Sequence, residues 1–311
     1  MQSRDHSGPV TAGVPPTPCL GPDEGDARDA VAPRTTASQS AAFFSGHLHL
    51  TAARRDDGQT TIVEQSFRAP FHIGKPYWDG HVLQVQVVNP TAGILAGDRL
   101  ELEVRIESGA ALLVTTPAAT RAFMMRSGGA ECRQVFTVAA GAWLEYAPEP
   151  LCPHRGCDYM QTTRIDVADG GELYYVDALA PGRVGRGERW AWTRLHIALE
   201  VRLGGDRLLV ERLNAASEWL ARSASFHDTA DAWIATMVVV SARLTPDDPV
   251  WNHIRALHGN GRSVGASRLR PGGWIIRALA PGGQELRDVL REVRGLLAER
   301  LPALRSDARK L

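Results

Sequence analysis

The chain has 311 residues, of which 44% are apolar and 23% are charged, a composition typical of a soluble globular protein. Its 35 basic and 35 acidic residues cancel, so no strong electrostatic field points to nucleic acid or to an anionic membrane as a partner. Four cysteines are too few for a disulfide framework in a chain of this size. With no signal-peptide pattern and no apolar stretch long enough to span a bilayer, the sequence predicts a cytoplasmic location.

The first segment, residues 1–42, is rich in proline and glycine and contains no aromatic side chain. Such a segment buries too little apolar area to offset the entropy lost on ordering, so we predict a disordered tail. The folded part is expected to be one β-rich domain that spans residues 43–305.

Short segments of alternating apolar and polar residues follow, separated by turns rich in Gly, Pro, Asn and Asp. The pattern predicts strands at His81–Val88, Arg99–Ile106, Ala110–Thr116, Cys132–Val138, Ala142–Tyr146, Tyr159–Val167, Glu172–Leu179, Trp190–Val201, Arg207–Leu213 and Trp233–Leu244. Because few helical periods lie between these strands, a mainly β fold is predicted and a Rossmann or barrel enzyme is disfavoured.

The C-terminal third mixes helices with strands. Val250–Leu257 is predicted to be a short helix, and Arg262–Leu269 and Trp274–Leu279 are predicted to be a strand pair. Segment 284–300 is the clearest helix, because its apolar residues recur with the helical period. Its apolar stripe consists of Leu286, Val289, Leu290, Val293, Leu296 and Leu297, and the opposite face is assigned to Arg287, Arg291, Glu292 and Arg294. The stripe predicts packing on the sheet, with a partner surface as the alternative.

No nucleophile motif, phosphate-binding loop or zinc-protease motif occurs, so binding or scaffolding is favoured over catalysis. One cluster, Cys152, His154 and Cys157, carries thiol and imidazole groups that suit Zn²⁺, Ni²⁺ or copper. A stable structural site normally needs a fourth ligand, so ordinary loop residues are the alternative. His47 and His49 share one face of a predicted strand and form a weaker metal candidate.

The segment NPTAGILAGDRLELEVRIESGAALLVTTPAATRAF, residues 89–123, resembles the most recognisable stretch of the UreD family of urease accessory proteins. The positions that match the family are Gly93, Gly97, Asp98, Gly109, Ala110, Thr115, Thr116, Ala119 and Arg121. Further on, LEYAPEP (144–150) resembles a second family motif and contains Glu149. DALAPGRVGRGE (177–188) resembles a third, with Asp177, Gly182, Arg183, Gly187 and Glu188 at the matching positions. The resemblance extends from about residue 43 to about residue 303, whereas the Cys152–Cys157 cluster lies outside the family pattern.

This resemblance implies an elongated β-helical or sandwich-like stack of strands, with about two helices near the C-terminus. It also implies a non-enzymatic scaffold that takes part in urease maturation. The expected partners are a UreF-type accessory protein, the UreG GTPase and the urease apoprotein, with neither nucleic acid nor a membrane among them. Members of the family are thought to offer an internal, water-filled passage, so nickel is expected as cargo in transit and not as a tightly bound cofactor.

Nickel in transit needs weak and exchangeable ligands, which carboxylates and water supply better than thiolates. We therefore predict that Asp98, Asp177 and Glu149 line a passage, and that Arg183 and Glu188 shape the turn beside it. The alternative is that these side chains only cap turns and form salt bridges. Two other functions stay open at this point, a β-fold enzyme of unknown specificity and a Cys/His metal-binding module.

Overall fold

The computed structural model describes residues 44–214, 232–270 and 272–308. Their strands are β1 (Ser45–Arg54), β2 (Thr60–Phe67), β3 (His72–Ile73), β4 (Tyr77–Asp79), β5 (Val82–Val88), β6 (Arg99–Ile106), β7 (Ala111–Thr115), β8 (Thr120–Ala122), β9 (Ala130–Val138), β10 (Trp143–Ala147), β11 (Leu151–Pro153), β12 (Asp158–Val167), β13 (Glu172–Leu179), β14 (Arg194–Leu203), β15 (Asp206–Asn214), β16 (Trp233–Val240), β17 (Ser263–Arg268) and β18 (Gly273–Ala280). Their α-helices are α1 (Val250–Ala256) and α2 (Gly283–Ala298), and short 3-10 turns lie at Val184–Arg186 and Pro302–Arg305.

The strands form two sheets that pack face to face. The first sheet has seven strands in the order β15-β14-β12-β9-β6-β1-β2, and the second is built on the order β17-β18-β16-β13-β10-β7-β5-β3. From β5 to β14 the main strands alternate between the sheets, and neighbours within each sheet are parallel. Parallel strands need a return connection, and here each return is a strand of the other sheet. The predicted β-helical stack with two helices near its C-terminal end is confirmed.

Apolar side chains fill three regions of this stack. One core lies between the two sheets, a second lies between the second sheet and the helices, and a third lies towards one end of the stack. Strand β13 contributes to two of these cores, because its side chains alternate between its two faces. Leu173 and Tyr175 lie in the core between the sheets, and Tyr174 and Val176 lie in the core under the helices. A strand covered on both faces loses the alternation of a half-exposed one, and β13 is accordingly buried along most of its length.

Helix α2 confirms the predicted packing on the sheet, since Leu286, Val289, Val293 and Leu297 are all buried. The assignment of Arg294 to the solvent face was wrong. Its guanidinium lies largely buried against β10, because Glu145 on that strand presents a carboxylate towards the helix. Neither α-helix of the described residues has the length and apolar character that a membrane crossing would need.

Two strand boundaries differ from the prediction by four residues. The strand predicted at Trp190–Val201 begins only at Arg194, and Trp190 and Trp192 lie buried in the preceding loop with their rings edge to face at 5.5 Å. A pair of buried aromatic residues two positions apart resembles strand alternation. However, Trp190 has a φ of 52°, outside the β region. The strand predicted at Trp233–Leu244 ends at Val240.

Candidate functional site

A cavity of about 150 Å³ lies between the two sheets, large enough for several water molecules. It brings together five residues that the sequence analysis had placed in three separate motifs. These are Gly93, Thr116, Arg121, Glu149 and Asp177. They come from successive turns and strands of the chain, and the parallel stacking of the strands places them around one space.

A layer of polar side chains crosses the space between the sheets beside this cavity. We call it the polar layer, and it consists of Gln134, Tyr146, Thr163, Tyr175, Asp177, Glu211, Thr236 and Arg277. At its cavity end, the Thr163 hydroxyl donates to Gln134 Oε1 at 2.9 Å, and Gln134 Nε2 donates to the Tyr146 hydroxyl oxygen at 3.2 Å. Tyr175 forms side-chain hydrogen bonds with Thr163 and with Asp177. Buried polar groups that bond to one another in this way are held in defined positions.

Asp177 lines the cavity and belongs to the polar layer. Burial raises the pKa of its carboxyl to about 6, the nearby Glu211 carboxylate acts in the same direction, and the hydrogen bond from Tyr175 opposes them. The pKa of about 6 means that the Asp177 carboxyl changes its protonation state close to neutral pH. A cation that approached it would relieve the cost of the buried negative charge.

Glu149 connects the cavity to helix α2. Its backbone N–H donates to the Thr116 hydroxyl oxygen at 2.9 Å, which ties together two turns that border the cavity. Its carboxylate Oε2 lies 3.6 Å from Nη2 of Arg287 on α2. The predicted passage residue Glu149 therefore stands where the cavity wall meets the helix.

Asp98 is buried but is not among the side chains that line the cavity. Its two carboxylate oxygens accept backbone N–H groups, from Phe44 at 2.9 Å and from Leu95 at 2.8 Å. The preceding Gly97 has a φ of 88°, and its N–H donates to the carbonyl of Gly129 at 2.9 Å. This is the geometry of a carboxylate that caps a turn, the alternative left open for Asp98.

Two further motif residues hold the turns that surround the cavity. Gly93 has a φ of 150°, and a Cβ atom at this position would collide with the carbonyl oxygen of Arg121. The adjacent Ile94 N–H donates to that oxygen at 2.7 Å, so the turn passes directly against β8. Thr115 is buried and donates its hydroxyl to the carbonyl of Ala147 at 2.7 Å.

The loop after β13 is held mainly by its own residues. Arg183 forms a two-pronged ion pair with Glu188, and the pKa of the Glu188 carboxyl falls to about 2, chiefly through this hydrogen bonding. The N–H of Arg155 donates to the same carboxylate at 3.2 Å. Gly182 and Gly187 have φ values of 128° and 70°, which favour glycine. This geometry fits the predicted role in shaping the turn.

The Cys152, His154 and Cys157 side chains are not arranged as a metal site. Cys157 is fully buried in an apolar core, where burial raises the pKa of its thiol to about 12 and Asp158 adds to the shift. His154 is buried with its ring edge against Phe123, at a centroid distance of 4.7 Å. Within residues 44–214, 232–270 and 272–308, no group of three or more His, Cys, Asp or Glu side chains could hold a metal ion.

The paired histidines of β1 lie on the outer face of the first sheet with their ring centroids 4.8 Å apart. His47 Nε2 shares a hydrogen bond with Ser66 Oγ at 2.9 Å, and His49 Nε2 lies 3.9 Å from the Glu101 carboxylate. Both imidazoles therefore contact side chains on neighbouring strands of the first sheet.

The sequence analysis missed Gln134, Thr163, Glu211 and Thr236. Each lies in the middle of a regular strand, away from the turns where family motifs are found. A signal for Gln134 was present, because it occupies an inward position of β9 between Cys132 and Phe136. A polar residue at an inward position of an alternating strand indicates a buried polar contact.

Comparison with known proteins gives a consistent set of matches. The family model described as UreD urease accessory protein matches residues 45–309. A urease accessory protein UreD of Opitutus terrae is 50% identical over 272 residues, which cover 86% of this chain and 99% of that protein. The UreD proteins of Sorangium cellulosum and Alkalilimnicola ehrlichii are 30% and 29% identical, over 83% and 84% of this chain and 81% and 88% of their own lengths.

Proposed function

The chain belongs to the UreD family of urease accessory proteins and has a role in urease maturation, and we propose that it acts there as a non-enzymatic scaffold that conducts nickel ions to apo-urease. The route in this proposal leads through the cavity between the two sheets. The observation that carries the proposal is the position of Asp177. Its side chain lines that cavity and forms a hydrogen bond with Tyr175 of the polar layer.

The chemistry around Asp177 suits an ion that must move on. A passage for Ni²⁺ needs oxygen ligands that compensate for lost hydration, but too many strong ligands would trap the ion. The cavity offers the carboxylates of Asp177 and Glu149, together with the side chains of Gln134, Tyr146 and Gln161. Because the described residues hold no three-ligand group, binding at any one point would be weak and exchangeable.

Within urease maturation, we propose that the chain works in the cytoplasm and binds the urease apoprotein, a UreF-type accessory protein and, through the latter, the UreG GTPase. Family membership supports this set of partners. A local feature supports a protein partner at one edge of the stack, where Phe67 and Trp78 keep 42% and 49% of their surface exposed. Large exposed aromatic side chains are typical of surfaces that bind other proteins.

Co-expression with a UreF-type protein and UreG tests the scaffold role. We expect a stable complex in size-exclusion chromatography that activates apo-urease when nickel and GTP are added. A chain that failed to associate with these proteins under any condition would contradict the proposal.

The conduit role is tested by replacing the predicted passage carboxylates in that complex. We expect the Glu149→Ala/Asp177→Ala double variant, in which both of the changed side chains line the cavity, to lower urease activation while the complex still elutes intact. The matched control is Asp288→Ala on the exposed side of α2, where the carboxylate accepts hydrogen bonds from its helix neighbours Gln284 and Arg291. Activation by the double variant at the rate of the unmodified chain would rule out the conduit.

A further inference from the structure

The polar layer continues from the cavity across β16 to β18 of the second sheet. Asp177 on β13 is the cross-strand partner of Thr236 on β16, and Thr236 is the partner of Arg277 on β18. Strand alternation places all three on the face that packs against the first sheet, since Tyr175 and Val238 belong to the core between the sheets. The three residues therefore form a row that leads from the cavity outwards.

Glu211 of the first sheet stands opposite the outer end of this row. Its Oε1 lies 3.0 Å from Nη1 of Arg277 and accepts a hydrogen bond from the Thr236 hydroxyl at 3.5 Å. Its Oε2 is buried and accepts no hydrogen bond among the residues that the structure describes. The Arg277 side chain is 56% exposed and that of Glu211 is 25% exposed, so this ion pair stands between the polar layer and solvent.

We propose that the Arg277–Glu211 ion pair is a latch that closes the solvent end of the polar layer and controls access of divalent cations to Asp177. The latch rests on the proposed function, because it regulates the route assigned to nickel there. It adds a second way into that route, where β15 of the first sheet faces β18 of the second sheet, away from the Glu149 side of the cavity.

The charges explain how the latch would act. With Arg277 in place, its guanidinium neutralises Glu211 and repels an incoming cation. When Arg277 turns out into water, two carboxylates, Glu211 and Asp177, face the opening with the Thr236 hydroxyl between them, and the local potential becomes negative. A half-exposed arginine loses little by leaving a single ion pair, because water solvates it and such pairs are weak.

The latch can be tested without nickel by placing a reporter thiol behind it. In the full-length Thr236→Cys variant, the rate at which position 236 reacts with methanethiosulfonate reagents measures access past Arg277, and peptide mass spectrometry separates it from the four native cysteines. Adding Arg277→Gln should raise the rate for a cationic reagent about tenfold, the change that 1.4 kcal/mol produces. The rate for a neutral reagent of equal size should rise less.

Two further variants sharpen the test. Adding Glu211→Gln instead breaks the pair but removes the negative charge, so the neutral reagent should gain access while the preference for the cationic reagent disappears. Arg262→Gln breaks the ion pair of Arg262 with Glu292, 3.0 Å long and outside the polar layer, and should change neither rate. Unchanged rates in both Arg277→Gln and Glu211→Gln would overturn the latch.

The thiol-modification rates and the urease activation assay distinguish a failure of the latch from a failure of the nickel passage. Faster thiol modification together with normal urease activation by Asp177→Ala would keep the latch and remove the nickel route. Unchanged thiol modification together with impaired activation by Asp177→Ala would keep the nickel route and remove the latch.

Discussion

Arg294 on α2 donates two hydrogen bonds to the Glu145 carboxylate on β10, from Nε at 2.7 Å and from Nη2 at 3.0 Å. Glu145 is fully buried, and Arg294 Nη2 also donates to the backbone oxygen of Ser306 at 2.9 Å. The pair fastens the helix to the second sheet and to the C-terminal segment. It also lies about two helical turns away, along α2, from Arg287, which reaches Glu149 at the cavity.

Removal of Arg294 alone should destabilise the fold strongly. Arg294→Met removes the guanidinium that donates two hydrogen bonds to the buried Glu145 carboxylate, which costs about 3–5 kcal/mol of unfolding free energy. Urea denaturation at neutral pH measures the change. The control is Arg291→Met, whose exposed pair with Asp288 should contribute at most about 1 kcal/mol.

The double variant Arg294→Met/Glu145→Leu separates the ion pair from the packing around it. Because the uncompensated charge is then gone, most of the lost stability should return. A double variant as unstable as Arg294→Met would show that the loss came from packing and not from the buried charge.

Asp177 should make the protein less stable as the pH rises. Its carboxyl has a pKa of about 6 in the folded chain against 3.8 for the unperturbed group, so between these values the folded state keeps a proton that the unfolded state has lost. Stability therefore falls from about pH 4 to about pH 6 and stays reduced above. At pH 8, Asp177→Asn should be more stable by up to about 3 kcal/mol, at 1.36 kcal/mol for each pKa unit.

The measurement for Asp177 is the unfolding free energy of both proteins from pH 4 to pH 8. The two curves should meet near pH 4 and separate as the pH rises. Parallel curves across this range would mean that the carboxyl does not titrate in the folded chain as its surroundings imply.

Removal of the Asp98 carboxylate should destabilise the fold, whereas removal of the Asp177 charge should stabilise it at pH 8. Asp98→Ala removes the acceptor for two backbone N–H groups, those of Phe44 and Leu95, and should cost about 2–4 kcal/mol of stability. Thermal unfolding of Asp98→Ala beside Asp288→Ala measures this, with the latter expected to stay within about 0.5 kcal/mol. If Asp98→Ala proved as stable as the unmodified chain, the turn-capping function of this carboxylate would be refuted.

Gly93 should not tolerate a side chain. Gly93→Ala places a Cβ atom against the Arg121 carbonyl at a φ of 150°, so we expect a loss of about 2–4 kcal/mol. The matched control is Gly185→Ala, where no neighbouring atom lies within 4 Å of the added Cβ, and its stability should be unchanged or slightly higher. Equal melting temperatures for the two variants would contradict the close approach at Gly93.

Cys152 and Cys157 should be dispensable for metal binding. Cys157 is buried in an apolar core, and no group of three or more His, Cys, Asp or Glu side chains in the described part of the chain could hold a metal ion. The nickel and zinc content of the purified Cys152→Ala/Cys157→Ala variant, measured by elemental analysis, should equal that of the unmodified chain. Loss of a stoichiometric metal ion would establish the Cys/His module instead.

Local features of the sequence determined the fold class. The period-2 strands and the apolar stripe of α2 depend only on residues close together in the chain, so the mainly β stack and the helix over Gly283–Ala298 could be predicted. The glycine-bearing motifs identified the family for the same reason. The local pattern gave two wrong predictions. Trp190 and Trp192 are buried two positions apart in a loop, as they would be in a strand, and Arg294 pairs with Glu145, which is distant in the sequence.

Only the tertiary structure distinguished Asp98 from Asp177. In the sequence both are acidic residues of family motifs close to the end of a strand, and nothing local separates them. In the fold, the Asp98 carboxylate accepts a backbone N–H of its own turn, whereas Asp177 faces a cavity whose walls come from several strands and turns of both sheets. Alternation along a strand decides which side chains point inwards, but the register between strands and the stacking of the two sheets decide which of them meet. The polar layer from Gln134 to Arg277 therefore became visible only when the sheets were assembled.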